Sequence, residues 1–304
     1  MPYIELNTTR KILLVTIGIF LALIPASMIP LLFLREAVLS LKPIGLGIRI
    51  FTSIKVNVLL TLTLLMVIVP YAIVDFFNRR YIDMIDKSLP AFFKGVSEAI
   101  RSGMTFIEAL RHVSLTLGGP IGREMNKALV RVELGDNLEN SLEGIIKRIH
   151  LPSLQRAVMI LKTAYESGGK VMDVLETSAE IYARLREFEE EKRVVINPHS
   201  ITIYVATLVY LFLIFVLLYA FIFPIGKLSG VAQFIGGVDP EIYKAIFYYS
   251  ATIEALFGGL IVGKMKHGKI SGGLIHVIIQ LSIVMVFFML IDMYGESIAI
   301  IPLR

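Results

Sequence analysis

Residues 201–224 read ITIYVATLVYLFLIFVLLYAFIFP, 24 residues from Ile201 to Pro224 without a charge. A helix rises about 1.5 Å per residue, so about 20 mostly apolar residues cross the hydrocarbon of a bilayer. This stretch is long enough to do so, and it makes the chain a membrane protein. Four further segments extend the reading in both directions. Ile12–Leu34 supplies 23 uncharged residues, with Pro25 and Pro30 expected to kink it. Val56–Phe77 supplies 22, with Asn57 near one end, Pro70 inside and Asp75 near the other. Ala245–Val262 is shorter and carries Glu254 near its centre. Leu274–Ile291 has His276 near its start and Gln280 inside. The sequence therefore predicts five spans. The first is read as an anchor rather than a signal peptide, because its apolar run exceeds the roughly 7–15 residues of a signal core and no A-x-A site follows.

Composition agrees with that class. The 304 residues are 56% hydrophobic, above the roughly 45–50% of a soluble domain. The 18% that are charged collect in the middle third. The net charge of +5 raises the question of nucleic acid. Asn78–His199, however, holds 18 Lys and Arg against 17 Asp and Glu, so the basic excess flanks the membrane segments, where topology explains it. Nucleic acid is not an expected partner. Cysteine is absent, which removes disulfides, thiolate metal sites and Cys nucleophiles together.

Positive residues favour the cytosolic ends of spans. Arg10–Lys11, Arg79–Arg80, Lys192–Arg193 and the trio Lys264, Lys266 and Lys269 all fall on one side if the spans alternate. The expected arrangement is an N-terminal membrane region over 1–77 with two spans, a cytosolic helical domain over 78–199, and a C-terminal membrane region over 200–304 with three spans. Arg35–Lys55 is the misfit: it carries Arg35, Lys42, Arg49 and Lys55 yet would lie outside. Either it is an amphipathic segment on the membrane surface, or the span count is off by one there.

The middle region reads as helix throughout. Leu89, Phe92, Phe93, Val96 and Ile100 follow the spacing of one apolar helix face, and so do Leu154, Ala157, Val158, Leu161 and Tyr165. Both stripes read as core. Gly103, Gly135 and Gly168 lie 32 and 33 residues apart. Each is followed by an apolar residue at +3 (Phe106, Leu138, Val171) and by a leucine at +7 (Leu110, Leu142, Leu175). Glycine ends a helix in the left-handed conformation without steric cost. Thr105-x-x-Glu108 and Asp136-x-x-Glu139 have the form of capping boxes that restart one. The pattern predicts a helix–Gly–helix corner used three times, with Gly169 in the third, and six helices in a compact bundle. The last of them begins near Lys170 and meets no breaker before Asn197-Pro198. Its charged stretch Arg184–Arg193 is expected to stand clear of the membrane and to run nearly straight into the third span, coupling domain to membrane.

No catalytic motif is present. Gly168-Gly169-Lys170 has the end of a phosphate loop, but Ala164 and Val171 stand where that motif needs Gly and Ser or Thr. The five histidines, His112, His150, His199, His267 and His276, form no zinc-type pair, and no G-x-S-x-G elbow occurs. No cofactor is expected. Glu254 is the one ionisable group near mid-bilayer, where it costs at least about 2.5 kcal/mol on insertion scales and has to face protein or water. It reads as a packing carboxyl held between spans. A proton relay, or a pair with His276, is the functional alternative. Gly258, Gly259, Gly263, Gly272 and Gly273 favour packing, because small residues let helices approach closely.

Taken together, Ser102-Gly103-Met104-Thr105-x-x-Glu108-Ala109-Leu110 and Glu166-Ser167-Gly168-Gly169-x-Val171-x-x-x-Leu175 resemble the paired signature of the type II secretion F-domain proteins. These are the inner-membrane platform proteins of type II secretion systems, type IV pili and archaeal flagella. Gly258-Gly259-Leu260-Ile261-Val262-Gly263-Lys264, Gly268 and Gly273-Leu274-x-His276 resemble the C-terminal membrane part of the archaeal branch. The resemblance covers about Ile85–His276. It implies an all-α multi-pass protein of the cytoplasmic membrane with a six-helix cytosolic bundle and no catalytic residues. It also implies a hexameric secretion ATPase and pilin-like subunits as partners, with Arg184, Arg186, Glu189, Glu190, Lys264, Lys266 and Lys269 as candidate contacts. Many members carry two such domains and this sequence shows one, so pairing with itself or a sister subunit is implied. The rival expectation is a small transporter or channel with a regulatory domain, motivated by Glu254, His276 and Gln280. The lack of other charges or of an inverted repeat in the spans argues against it.

Overall fold

The computed structural model describes residues 8–45, 48–227 and 239–298. Its elements in chain order are α1 (Thr8–Leu32), α2 (Leu34–Leu39), a two-stranded antiparallel hairpin of β1 (Leu41–Gly45) and β2 (Ile48–Phe51), and α3 (Ile54–Arg101). There follow α4 (Phe106–Leu117), α5 (Gly119–Glu133), α6 (Leu138–Arg148), α7 (Pro152–Glu166) and α8 (Val171–Val216). A π turn at Leu217–Ile222 leads into α9 (Phe223–Lys227), and α10 (Pro240–His267) and α11 (Leu274–Ile298) complete the chain. Five of these helices are long and apolar enough to cross a membrane: α1, α3, α8 with its continuation to Ile225, α10 and α11. The chain is an all-α multi-pass membrane protein apart from the hairpin.

Two compact units emerge. One is Phe76–Val194; the other combines the segments before and after it. Helices α3 and α8 contribute residues to both.

The first unit is a bundle of six helical segments around one apolar core. Ile85, Leu89, Phe92, Phe93 and Val96 of α3 are fully buried there, with Leu110 of α4, Met125 and Leu129 of α5, Leu142 and Ile145 of α6, and Val158 and Leu161 of α7. Phe93 stacks on Tyr182 of α8 with ring centroids 5.3 Å apart. The expected stripes are core with two exceptions: Ile100 is only partly buried, and Tyr165 is 44% exposed and leans on Phe106. All three leucines at the +7 positions, Leu110, Leu142 and Leu175, are completely buried. That is why the glycine period repeats: each corner must deliver the next helix with its second turn facing inward.

The corners differ in detail. Gly103 and Gly135 have φ of +98° and +97°. At the first, Gly103 N–H donates to Ile100 O (3.0 Å) and Met104 N–H to Ala99 O (3.2 Å). At the second, Gly135 N–H donates to Val132 O and Asp136 N–H to Arg131 O, both at 3.0 Å. Both are Schellman motifs, which satisfy the last carbonyls of the helix. The third corner, at Gly168 (φ +57°), continues through a 3-10 turn over Gly168–Lys170 that includes Gly169.

The capping box predicted after Gly103 forms: Glu108 N–H donates to Thr105 Oγ1, and the Glu108 carboxylate accepts from Thr105 N–H at 2.9 Å. That backbone bond, helped by the Thr105 hydroxyl, holds the Glu108 carboxyl below the usual glutamate range. The box predicted at Asp136–Glu139 does not form. The cap is Asn137, whose side chain accepts from Glu139 N–H at 3.1 Å, while Asp136 turns back towards Arg131. The Schellman turn consumes the Asp136 amide and moves the restart on by one residue.

The second unit buries Leu211, Ile214 and Leu218 of α8 against Tyr248, Ala251 and Ala255 of α10 and Val277, Leu281, Val284 and Phe288 of α11. Its outward side chains are apolar too: Phe212 is 62% exposed, Phe257 59% and Met289 49%. Water would make such a surface an aggregation site, whereas lipid is its natural solvent. Residues 35–55 add no span to the five: they form the end of α2, the hairpin and the start of α3. Lys42 of β1 pairs with Asp239 (2.7 Å) and Glu241 (3.0 Å) at the start of α10.

Replacing Gly103 by Ala should destabilise the protein by about 1–2 kcal/mol, because a Cβ is strained at positive φ. Thr105→Ala should do so through loss of the cap. Both would appear as lower thermal transition temperatures of the detergent-solubilised chain, and an unchanged transition for Gly103→Ala would contradict the corner.

Candidate functional site

The expected site residues fall into three places. On α8, Arg184, Glu189 and Glu190 are exposed. Arg186 is turned inward, its side chain 15% exposed, and is held by Glu190 at 2.9 Å and by Asp83 of α3 at 3.5 Å. Asp83 also takes Lys87 (2.7 Å) and Arg193 (3.2 Å), which makes it a hub between α3 and α8. Of its three partners only Lys87, four residues on, is close to Asp83 along the chain, so sequence offered no sign of the links to α8. Elsewhere in the unit, buried Glu124 of α5 ties to Arg148 of α6 at 3.1 Å, and Lys162 of α7 to Glu143 of α6 at 2.9 Å.

The second place is the short connection after α10. Lys264 and Lys269 are exposed and Lys266 half-buried. Gly268 closes α10 in the left-handed conformation (φ +68°), its N–H donating to Lys264 O at 2.8 Å. Cations in a last helical turn also suit the helix dipole. Among the described residues no group of three or more His, Cys, Asp or Glu is placed to hold a metal.

The third place lies within the membrane segments. Helices α10 and α11 meet backbone to backbone. A Cβ on Gly263 would fall 1.9 Å from Gly273 N, and one on Gly259 2.5 Å from Val277 N. Glycine is required on both faces of this seam. Next to Gly259, Gly258 leaves room for the Gln280 amide: a Cβ there would stand 2.9 Å from Gln280 Oε1. Thr207 Oγ1 of α8 donates to Glu254 Oε1 at 2.9 Å. The pair of Glu254 with His276 considered from sequence does not form. His276 Nδ1 meets the Tyr204 hydroxyl at 2.7 Å instead, because α8 packs beside both α10 and α11 and its polar side chains reach each first. Glu254 Oε2 and both amide atoms of Gln280 are buried without a hydrogen-bond partner. Towards the hairpin end, Tyr248 and Thr61 share a hydrogen bond of 2.7 Å, and Tyr249 donates to Asn57 Oδ1 at 2.7 Å. Tyr204 and Thr207 went unnoticed in the sequence. The available signal was a hydroxyl inside an uncharged span, which generally needs an interhelical partner.

A polytopic helical membrane protein with a charged six-helix unit inserted between its second and third spans is the class these features define. Residues 92–219 match the family model of Type II secretion system (T2SS), protein F, and this stretch is a domain of that family. An uncharacterized protein of Methanocaldococcus jannaschii, MJ1286, is 23% identical over 232 residues, which are 76% of this chain and 37% of that protein. The chain thus spans well under half the length of this curated relative. No solved structure matches.

Gly263→Leu should force α10 from α11 and abolish the folded membrane unit, seen as loss of the monodisperse peak in detergent. Thr207→Val should leave Glu254 without its donor and cost about 1–3 kcal/mol. Thr207→Ser, which keeps the hydroxyl, should melt close to the parent.

Proposed function

We propose that this chain is a non-enzymatic platform protein for assembly of a type IV pilus-like or archaellum-like filament, coupling a cytosolic secretion ATPase to insertion or extraction of pilin-like subunits. The observation that carries the reading is the F-domain match over 92–219, which takes in most of the six-helix unit and continues into the span that begins at Ile201. Such a domain needs no catalytic centre, and the sequence carries no recognised catalytic motif.

The protein would sit in the cytoplasmic membrane with the six-helix unit in the cytosol. The basic clusters at Arg10–Lys11, Arg79–Arg80, Lys192–Arg193 and Lys264–Lys269 support that orientation. The Lys42 pairs with Asp239 and Glu241 remove part of the objection raised by the basic residues of 35–55. ATPase contact is assigned to charged groups, namely the exposed Arg184, Glu189, Glu190, Lys264 and Lys269 with the half-buried Lys266. Helices α3 and α8, which contribute to both units, are the proposed route of coupling.

Full-length chain used as bait in lysate of its own cell should retain a hexameric secretion-type ATPase, and a deletion strain should lose its filaments. Intact filaments in that strain would refute the platform. Proton or substrate flux through reconstituted protein, removed by Glu254→Gln, would instead support a transporter.

A further inference from the structure

Helix α8 hides one side and leaves another apolar side open. Leu175, Ser178 and Tyr182 are buried. Ile181, Leu185 and Phe188, spaced four and three residues apart, are 60%, 44% and 63% exposed. Alternating steps of four and three make the seam of a two-stranded coiled coil, and the same steps reach Lys192 and Val195 next. Lipid does not account for the stripe. Arg184, Glu187, Glu189, Glu190 and Glu191 surround it, and that many charges do not enter hydrocarbon.

We propose that this stripe is where a second copy of the chain docks, the two α8 helices lying parallel about a two-fold axis. Two observations select that occupant. Two copies inserted alike in one bilayer run their α8 helices in the same direction, so a parallel pairing needs no other protein, and confinement to the membrane raises the effective concentration that a short seam requires. Charge is the second. With Leu185 and Lys192 at the first seam position of the heptad, and Ile181, Phe188 and Val195 at the second, Arg184 and Glu189 flank the seam five residues apart. In a parallel pair those flanking positions meet across the axis, so Arg184 of each copy faces Glu189 of the other. The charges are opposite and the contact occurs twice. Lys192 inside the seam costs stability, and a lone polar residue there is a device that fixes register and favours two strands.

The inference names a partner for the exposed side of α8 and rests on the membrane placement of the proposed function. It is independent of the ATPase, and it assigns Arg184 and Glu189 to the second copy, which leaves Glu190 and the lysines Lys264, Lys266 and Lys269 for that partner.

Because the chain has no cysteine, single substitutions in the full-length protein report contacts directly. In native membranes treated with an oxidant, Leu185→Cys should cross-link to a homodimer. Ala183→Cys, exposed on the far side of α8, should not. Arg184→Glu should lower the Leu185→Cys yield about five-fold, and adding Glu189→Arg should restore it. Absence of the cross-link at Leu185→Cys and Ile181→Cys in inserted protein would overturn the proposal. So would equal yield at Ala183→Cys, capture of a different protein, or failure of the charge swap to restore the yield. None of these outcomes involves ATPase binding or filament formation, so the platform reading stands or falls separately.

Discussion

Hydrocarbon supplies no hydrogen-bond partner, so each backbone amide and carbonyl of a membrane segment must be satisfied inside its own helix. The long helices of this chain follow from that requirement, and so does the means by which they adhere. Lipid tails are as apolar as leucine, so burial gives little drive for spans to associate. What remains is contact at short range and interhelical hydrogen bonding. The α10–α11 seam supplies the first, with Gly259 and Gly263 facing Val277 and Gly273 so closely that no side chain fits between them. Thr207 with Glu254 and Tyr204 with His276 supply the second, joining α8 to the same pair.

The six-helix unit, whose exposed surface is rich in charge, is held together differently. Burial of Phe92, Phe93, Leu110 and Leu142 drives association, and the turns serve to direct it. Two identical Schellman endings, 32 residues apart at Gly103 and Gly135, bring α4 and α6 back onto the core in the same way. Charged groups then link helices around the rim, through Asp83, Glu124 and Lys162. Most are partly solvated, so their contribution lies in fixing partners more than in stability.

Function of the platform kind asks little of chemistry and much of surfaces. In the six-helix unit many of the charged groups pair across helices, and in the membrane segments Glu254 takes a donor on one oxygen while the other is buried without a partner. Buried polar atoms without partners, Glu254 Oε2 and both Gln280 amide atoms, are costly.

The sequence by itself determined the five spans, the helical middle, the apolar stripes and the first glycine corner, because each is set by short-range rules: length against bilayer thickness, a period of 3.6, and the left-handed tolerance of glycine. The F-domain resemblance rested on those same local patterns. Tertiary structure alone decided the rest. Whether Asp136 or Asn137 caps α6 depended on which amide the preceding turn consumed. Lys42 of the hairpin pairs with Asp239 and Glu241, almost 200 positions away. Glu254 took Thr207 rather than His276 because helix packing, which no local pattern encodes, brought α8 against α10. Pairings between residues far apart in the chain are fixed only when the whole set of helices has found its contacts.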